Sequence, residues 1–269
     1  MASLHEHVDQ LLRRQLNADG ALPEKLNLAL RLLAKYRATL LQNTVVQQCG
    51  TTVQGGPFAG MRFVAQSTEG CHVPKLLGCY EAELHPHILA AARRGYDAVI
   101  NIGSAEGYYA VGLALLMPDA RVYAYDTNAA SHAVCRSVAE ANGVAERVVV
   151  GSTFHGEDFA TFASQRMLVM CDIEGAETAL LDLTRYPALR GMDVIVELHD
   201  SAEAKPSALI PERFATTHDV TMVRHGSHAV ALSALFEPLG HLDQLLAVWE
   251  WRSAPTPWAV MLARTKRGA

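Results

Sequence analysis

From residue 98 onward the chain alternates short apolar runs with helix-like stretches, and this rhythm limits its fold more than any other feature. Ala98–Ile102, Val122–Tyr125, Val148–Val150, Met167–Cys171 and Val194–Leu198 are apolar on consecutive residues, the mark of strands buried on both faces. Between them, Tyr108–Met117 reads as a helix ended by Pro118, Ser131–Asn142 as a helix stopped by Gly143, and Glu177–Leu183 as a third helix. Leu84–Arg94 is a helix that precedes the first strand. Strands separated by helices predict an α/β fold with a doubly wound, mostly parallel sheet. The end of the chain departs from the rhythm: Val220–Arg224 and Trp258–Leu262 read as strands around a helical stretch near Leu235–Glu250.

The first part of the chain has a different texture. Residues 3–16 and 23–46 carry apolar residues at three- and four-residue steps, including Leu26, Leu30, Leu33, Tyr36 and Leu40, and predict two helices. Residues 50–80 are rich in glycine, with a strand-like run around Met61–Ala65 that suits a hairpin. The expected organisation is a helical extension over 1–48, a glycine-rich connecting segment over 49–83, and the main domain over 84–269. The wide apolar face of the first helices predicts a homodimer.

Composition excludes several classes. A chain of 269 residues, half of them hydrophobic, buries a core of ordinary size. Its net charge of −5 and the absence of any basic stripe argue against a nucleic-acid partner; Arg264-Thr265-Lys266-Arg267 is only a short basic end. No stretch approaches the roughly 18 uncharged apolar residues of a membrane span, so no membrane association is expected. The N-terminal MASLHEHVDQLLRRQL is charged throughout, unlike a signal peptide. Five cysteines with no CxxC pair predict reduced thiols and a cytoplasmic protein.

The string from Val99 to Gly112 carries the most chemistry. A buried strand runs into a turn with Gly103 and Gly107, and a helix follows, so backbone N–H groups face any ligand. The second strand ends at Asp126, 19 residues beyond Gly107, where a carboxylate can accept bonds from two ribose hydroxyls. The competing role for Asp126 is a helix cap, since Asp126-Thr127-Asn128 suits a helix start. A dinucleotide site wants G-x-G-x-x-G, whereas here position 105 is Ala and Glu106 is acidic, which is unwelcoming to phosphate. S-adenosylmethionine has no phosphate and is cationic, so it is the cofactor these residues favour.

These strings resemble the FkbM-type methyltransferases of the class I S-adenosylmethionine-dependent superfamily. The resemblance rests on Asn101-Ile-Gly-Ser-Ala-Glu-Gly-Tyr-Tyr, Tyr125-Asp126, Cys171-Asp-Ile-Glu-Gly-Ala-Glu177 and Val194-Ile-Val-Glu-Leu-His199, and covers about residues 97–200. It implies an antiparallel strand near the C-terminal end of the sheet. It also implies that Gly103, Ser104, Gly107 and Tyr108 border the cofactor, that Asp126 holds its ribose, that Ser152 and Thr153 lie near the adenine, and that Asp172 faces the methyl group. Where such enzymes usually carry an acid on the first strand this chain has Asn101, so Glu81 or Glu106 is the expected charge toward the cofactor's amino group.

Methyl transfer to a hydroxyl needs alignment and a proton acceptor. The densest group of acids and imidazoles sits at two adjacent strand ends: Asp172, Glu174 and Glu177 on one, Glu197, His199 and Asp200 on the other. The preferred reading makes His199 the general base, oriented by Asp172 or Glu197. The second is a divalent ion on Asp172 and Asp200. A third leaves Glu174 and Glu177 as favourable acids at a helix start. The expected activity is O-methylation of a small-molecule or sugar hydroxyl, as in natural-product biosynthesis. An NAD-dependent oxidoreductase on a similar sheet and a non-catalytic S-adenosylmethionine-binding module are the alternatives. His85, His87, His225 and His228 are assigned no role.

Overall fold

The computed structural model describes residues 3–64, 70–226, 232, 234–252, 254 and 256–264. Seven strands form one sheet: β1 (Ala98–Ile102), β2 (Arg121–Tyr125), β3 (Val148–Gly151), β4 (Met167–Cys171), β5 (Asp193–Glu197), β6 (His218–Val223) and β7 (Trp258–Ala263). Their order is β3-β2-β1-β4-β5-β7-β6. β1 to β5 run parallel, and β7 enters antiparallel between β5 and β6. Dinucleotide-binding sheets have the order 3-2-1-4-5-6; the inserted antiparallel strand sets this sheet apart from them.

Alternation along the strands splits the core in two. Val99, Val122, Ala124, Leu168, Met170 and Ile195 face one side, packed against α4 (His85–Ala92), α5 (Tyr108–Leu116), α6 (Ala129–Ala141) and the end of α2 (Leu22–Cys49). Ala98, Ile100, Ile102, Val169, Cys171, Val194 and Val196 face the other, under α7 (Glu177–Leu180) and α8 (Pro206–Phe214), preceded in the chain by α3 (Val73–Leu77). Every residue of β1, β4 and β5 is buried, as their unbroken apolar runs require.

Some elements differ from expectation. The helix expected over Glu177–Leu183 ends at Leu180, and Leu181 and Leu183 turn inward as core residues. α8 was not foreseen, because its two prolines read as breaks. Pro206 opens the helix, where its fixed φ is suitable, and Pro211 is accommodated inside it. The stretch near Leu235–Glu250 resolves into a single 3₁₀ turn, Ala234–Phe236, and α9 (His241–Ala247). The hairpin near Met61 is reduced to one antiparallel bridge, Thr52 with Arg62, and Ala65 lies outside the described residues. The basic end beyond Arg264 and His228 also lie outside them.

The glycine-rich segment is packed onto the sheet's helices. Val53, Phe58, Met61, Phe63, Val73 and Leu76 join the first core. A Cβ on Gly112 of α5 would stand 2.5 Å from the Phe58 ring, so the absent side chain is what lets that ring seat on the helix. Before it, α1 (Leu4–Asn17) opens with a capping box between Ser3 and Glu6 and packs on α2. No described helix is long and apolar enough to cross a membrane. All five cysteines are unpaired, four of them buried.

Candidate active site

A cavity of about 580 Å³ lies at the carboxyl ends of β1 to β4, the place where open α/β sheets bind ligands. Each strand delivers one stretch of its wall. β1 gives Ile102 and Gly103, β2 gives Tyr125 and Asp126, β3 is followed by Ser152, Thr153 and Phe154, and β4 by Asp172, Ile173 and Glu174. Gly103 has φ +78°, and a Cβ there would stand 1.6 Å from the Asp172 carbonyl oxygen. Glycine is therefore required for the two strand ends to meet at all.

Asp126 ties two of these stretches together. Its Oδ2 accepts from the Ala105 N–H at 2.7 Å and its Oδ1 from the Asn128 N–H at 2.7 Å. The helix cap is Asn128, whose side chain accepts from the Ala130 N–H at 3.1 Å. Asp126 is thus held in one orientation at the cavity wall, and a carboxylate oxygen can accept more than one bond.

Gly103, Asp126, Ser152, Thr153 and Asp172 line the cavity as the sequence places them, and the other candidates for the cofactor do not. Asn101 is buried in the sheet and donates to the Met170 carbonyl at 3.4 Å. Ser104 is buried beneath the turn. Gly107, at φ +89°, makes room for Cys135, whose Sγ would be 2.7 Å from a Cβ. Tyr108 packs edge-on against Phe58, Phe63 and Tyr80. Glu106 is fully buried, does not border the cavity and pairs with Lys75 at 3.5 Å. Glu81 is fully buried as well and bonded to Tyr109 and Arg252. Neither borders the cavity. Instead the wall gains Lys75, Tyr80, Phe154, Arg185 and Tyr186. Phe154 directly follows Ser152-Thr153 and was readable as an aromatic neighbour; Lys75 and Tyr80 sit in the glycine-rich segment, where no motif marks them.

Behind Asp172 lies the acid–imidazole group. His199 Nδ1 is 2.6 Å from Glu177 Oε1, and its Nε2 is 3.4 Å from Glu197 Oε2 and 3.7 Å from Asp172 Oδ1. Burial alone would push the imidazole down. Hydrogen bonds to Glu177 and Glu197, with the charges of Glu197 and Asp172, outweigh it and raise the ring to about 10. The expected neutral base is therefore an imidazolium at neutral pH. Asp172 moves the other way from a usual carboxylate. Burial and the like charges of Glu197 and Glu81 raise it well above the usual range, and its Oδ1 has no hydrogen-bond partner among the described residues.

Arg252 organises the far side. It bonds to Glu81, Glu197, Glu250 and the Thr256 hydroxyl. Burial favours neutral Glu197, but the bonds from His199, Arg252 and Thr256 overcome it and bring the carboxyl down to about 2. Glu81 is raised to about 8 by burial and by Glu197, against the pull of Arg252. Asp200, the second residue of the expected metal pair, is engaged elsewhere. Asp200 accepts from the Ser207 N–H at 3.0 Å and the Ser207 hydroxyl at 2.8 Å at the start of α8. Asp172, Glu174 and His199 do offer ligand atoms within 4.8 Å of one another. A metal there would have to displace the imidazole proton.

No protein-family model matches the sequence, and no curated protein matches it. Solved structures match in shape. Human methyltransferase 10 domain containing protein aligns over 86% of this chain and 96% of its own, with 12% identity and a TM-score of 0.50. The O-methyltransferase TomG from Streptomyces achromogenes, involved in tomaymycin synthesis and crystallised with S-adenosylmethionine, aligns over 98% and 100%, with 13% identity and a TM-score of 0.49. The O-methyltransferase from Bacillus cereus in complex with S-adenosylhomocysteine aligns over 66% and 78%, with 12% identity and a TM-score of 0.46. The fold is methyltransferase-like: a mostly parallel seven-stranded sheet with an antiparallel strand near its C-terminal end and helices at its N-terminus.

Proposed function

We propose that the chain is an S-adenosylmethionine-dependent methyltransferase of the FkbM type, acting on a hydroxyl of a small molecule or sugar, as in natural-product biosynthesis. One observation carries this reading. A single cavity runs from Ser152, Thr153 and Phe154, past Asp126 and the Gly103 turn, to Asp172. In this reading the adenine rests by Ser152–Phe154, the ribose hydroxyls donate to Asp126, and the reacting end lies at Asp172. When bound, the cofactor supplies a methyl group on a cationic sulfur that departs as a neutral thioether.

The chain's own residues do the rest. Asp172, whose carboxyl is raised by burial and by neighbouring carboxylates and whose Oδ1 has no hydrogen-bond partner among the described residues, accepts the hydroxyl proton. His199 stands beside it as a fixed cation, oriented by Glu177 and Glu197, and favours the ionised form of Asp172 that must exist before the proton moves. Glu197 is kept ionised by Arg252 and Thr256, and so holds His199 in its charged state. A homodimer through the N-terminal helices belongs to the same reading.

Calorimetry on the purified chain tests the cofactor. Heat of binding is expected with S-adenosylmethionine and not with NAD, and Asp126→Ala should weaken binding by about 1–3 kcal/mol through two lost charge-assisted bonds. Binding of NAD alone, or an affinity indifferent to Asp126→Ala, overturns the reading of this cavity.

A further inference from the structure

We infer that Lys75 is the residue that takes the carboxylate of the cofactor's methionine end, with Glu106 as its positioning partner. The inference rests on the cofactor reading above.

Lys75 sits on the short helix α3, in the glycine-rich segment that packs over the sheet. It is only 6% exposed, yet it borders the cavity that Gly103 and Ala105 also line. A buried ammonium is costly unless it is paired. Glu106 Oε1 at 3.5 Å and the face of the Tyr80 ring, 5.3 Å from Nζ to the centroid, contribute to offsetting that cost. Glu106 lies in the turn itself, one residue before Gly107, and is fully buried off the cavity wall. The acid therefore holds the lysine from behind, and the lysine presents its charge to the ligand side. At 3.5 Å the pair is looser than the 2.7–2.9 Å of a tight charge-assisted bond, which suits an ammonium shared with a second anion.

Charge matching then identifies that anion. S-adenosylmethionine carries one anionic group, the α-carboxylate, and adenosine carries none. Among the described residues that border the cavity, the permanent cations are Lys75 and Arg185. The Arg185 side chain is 64% exposed and pairs with Glu157 at 3.7 Å. It also lies over the Tyr186 ring, at 5.3 Å. The acids of the same wall, Asp172 and Glu174, repel a carboxylate. Lys75 is the buried cation that remains. The same logic explains why the turn tolerates Ala105 and Glu106 in place of more glycines: the ligand's anion is met by a side chain from another segment.

The test compares S-adenosylmethionine with its decarboxylated analogue by calorimetry, since the two differ only in the group at issue. The unaltered chain should prefer S-adenosylmethionine by about 10- to 100-fold, the range of one charge-assisted bond. Lys75→Met should erase that preference by weakening S-adenosylmethionine alone, leaving the analogue within about twofold. Because Lys75→Met takes an ion-pair partner from the buried Glu106, the double variant Lys75→Met/Glu106→Gln, which removes both charges of the pair, is measured beside it and should show the same loss of preference. Retention of the preference in both variants overturns the inference. Equal binding of both compounds by the unaltered chain overturns it while the cofactor reading stands, and binding of neither compound overturns both.

Discussion

His199 is in contact with Glu177, Glu197 and Asp172, and the balance between its burial and these three carboxylates decides what it can do. An isolated imidazole near pKa 6.5 is a base at neutral pH. This ring, raised to about 10, keeps its second proton across the physiological range and loses it only as pH climbs toward that value. Its contribution to stability follows the same sign: present in full below the unfolded value near 6.5, lost as pH rises through the folded one. Nitrogen-detected NMR of the imidazole at pH 8 should show both ring nitrogens protonated, and Glu177→Gln should bring the titration down. A neutral ring at pH 8 would return His199 to the role of base and remove it from Asp172. Strand alternation was enough to place Glu197 and His199 on one side. Glu177 was legible as a member of the acid–imidazole group or as a helix-start acid, but not as the partner of His199, which lies 22 residues away beyond β5. Gly103 and Asp126 were legible because a turn at positive φ and an acid at a strand end each leave a local mark. The buried Glu81 left none, and it meets Arg252 across 171 residues.

At the level of elements, Arg252 joins parts that the sequence separates. Glu81 precedes the turn into α4, Glu197 ends β5, and Thr256 leads into β7, so a single guanidinium ties the glycine-rich segment to two neighbouring strands. Arg31 of α2 in turn donates to the carbonyls of Trp251 and Arg252, at 3.2 and 3.4 Å. Removing one partner of a buried ionic group leaves uncompensated charge and costs about 3–5 kcal/mol. Arg252→Met should therefore lower the melting temperature by about 10 °C, given roughly 2–4 °C per kcal/mol in a chain of this size. Arg37→Met is the control. It breaks a bidentate pair with Asp243, between α2 and α9, in which the Arg37 side chain is 44% exposed, and exposed pairs contribute about 0–1 kcal/mol. Equal melting shifts for the two variants would show that Arg252 holds nothing that Arg37 does not. The strands themselves were readable to within two residues at each end, since a run buried on both faces is apolar at every position. α8 escaped notice because Pro206 and Pro211 look like punctuation. Its place is set instead by Ile210 and Phe214, which cover the second core.

On the scale of the whole molecule, the sheet and its helices bury their apolar faces, and the N-terminal part of α2 does not. Leu22, Leu26, Leu30 and Leu33 follow one another at helical spacing and are 64%, 54%, 67% and 43% exposed. Leu242 and Leu245 of the neighbouring α9 add 68% and 53%. The end of the same helix behaves differently, with Leu41 and Val45 in the core, so α2 is anchored at one end and presents an uncovered stripe at the other. Contiguous exposed apolar surface of this kind marks an association site. A second copy of the chain is the partner proposed for it, since two-fold pairs, the commonest oligomers, let one patch serve both subunits. The prediction is a dimer in solution that the double variant Leu26→Glu/Leu30→Glu converts to a monomer, read by light scattering. The melting temperature should stay within a few degrees, because neither side chain supports the core of its own chain. A monomer before substitution, or a dimer that persists after it, removes α2 as the interface. The stripe was present in the sequence as leucines at three- and four-residue steps. What the sequence could not express was that Leu22, Leu26, Leu30 and Leu33 stay outside while Leu41 and Val45 enter the core.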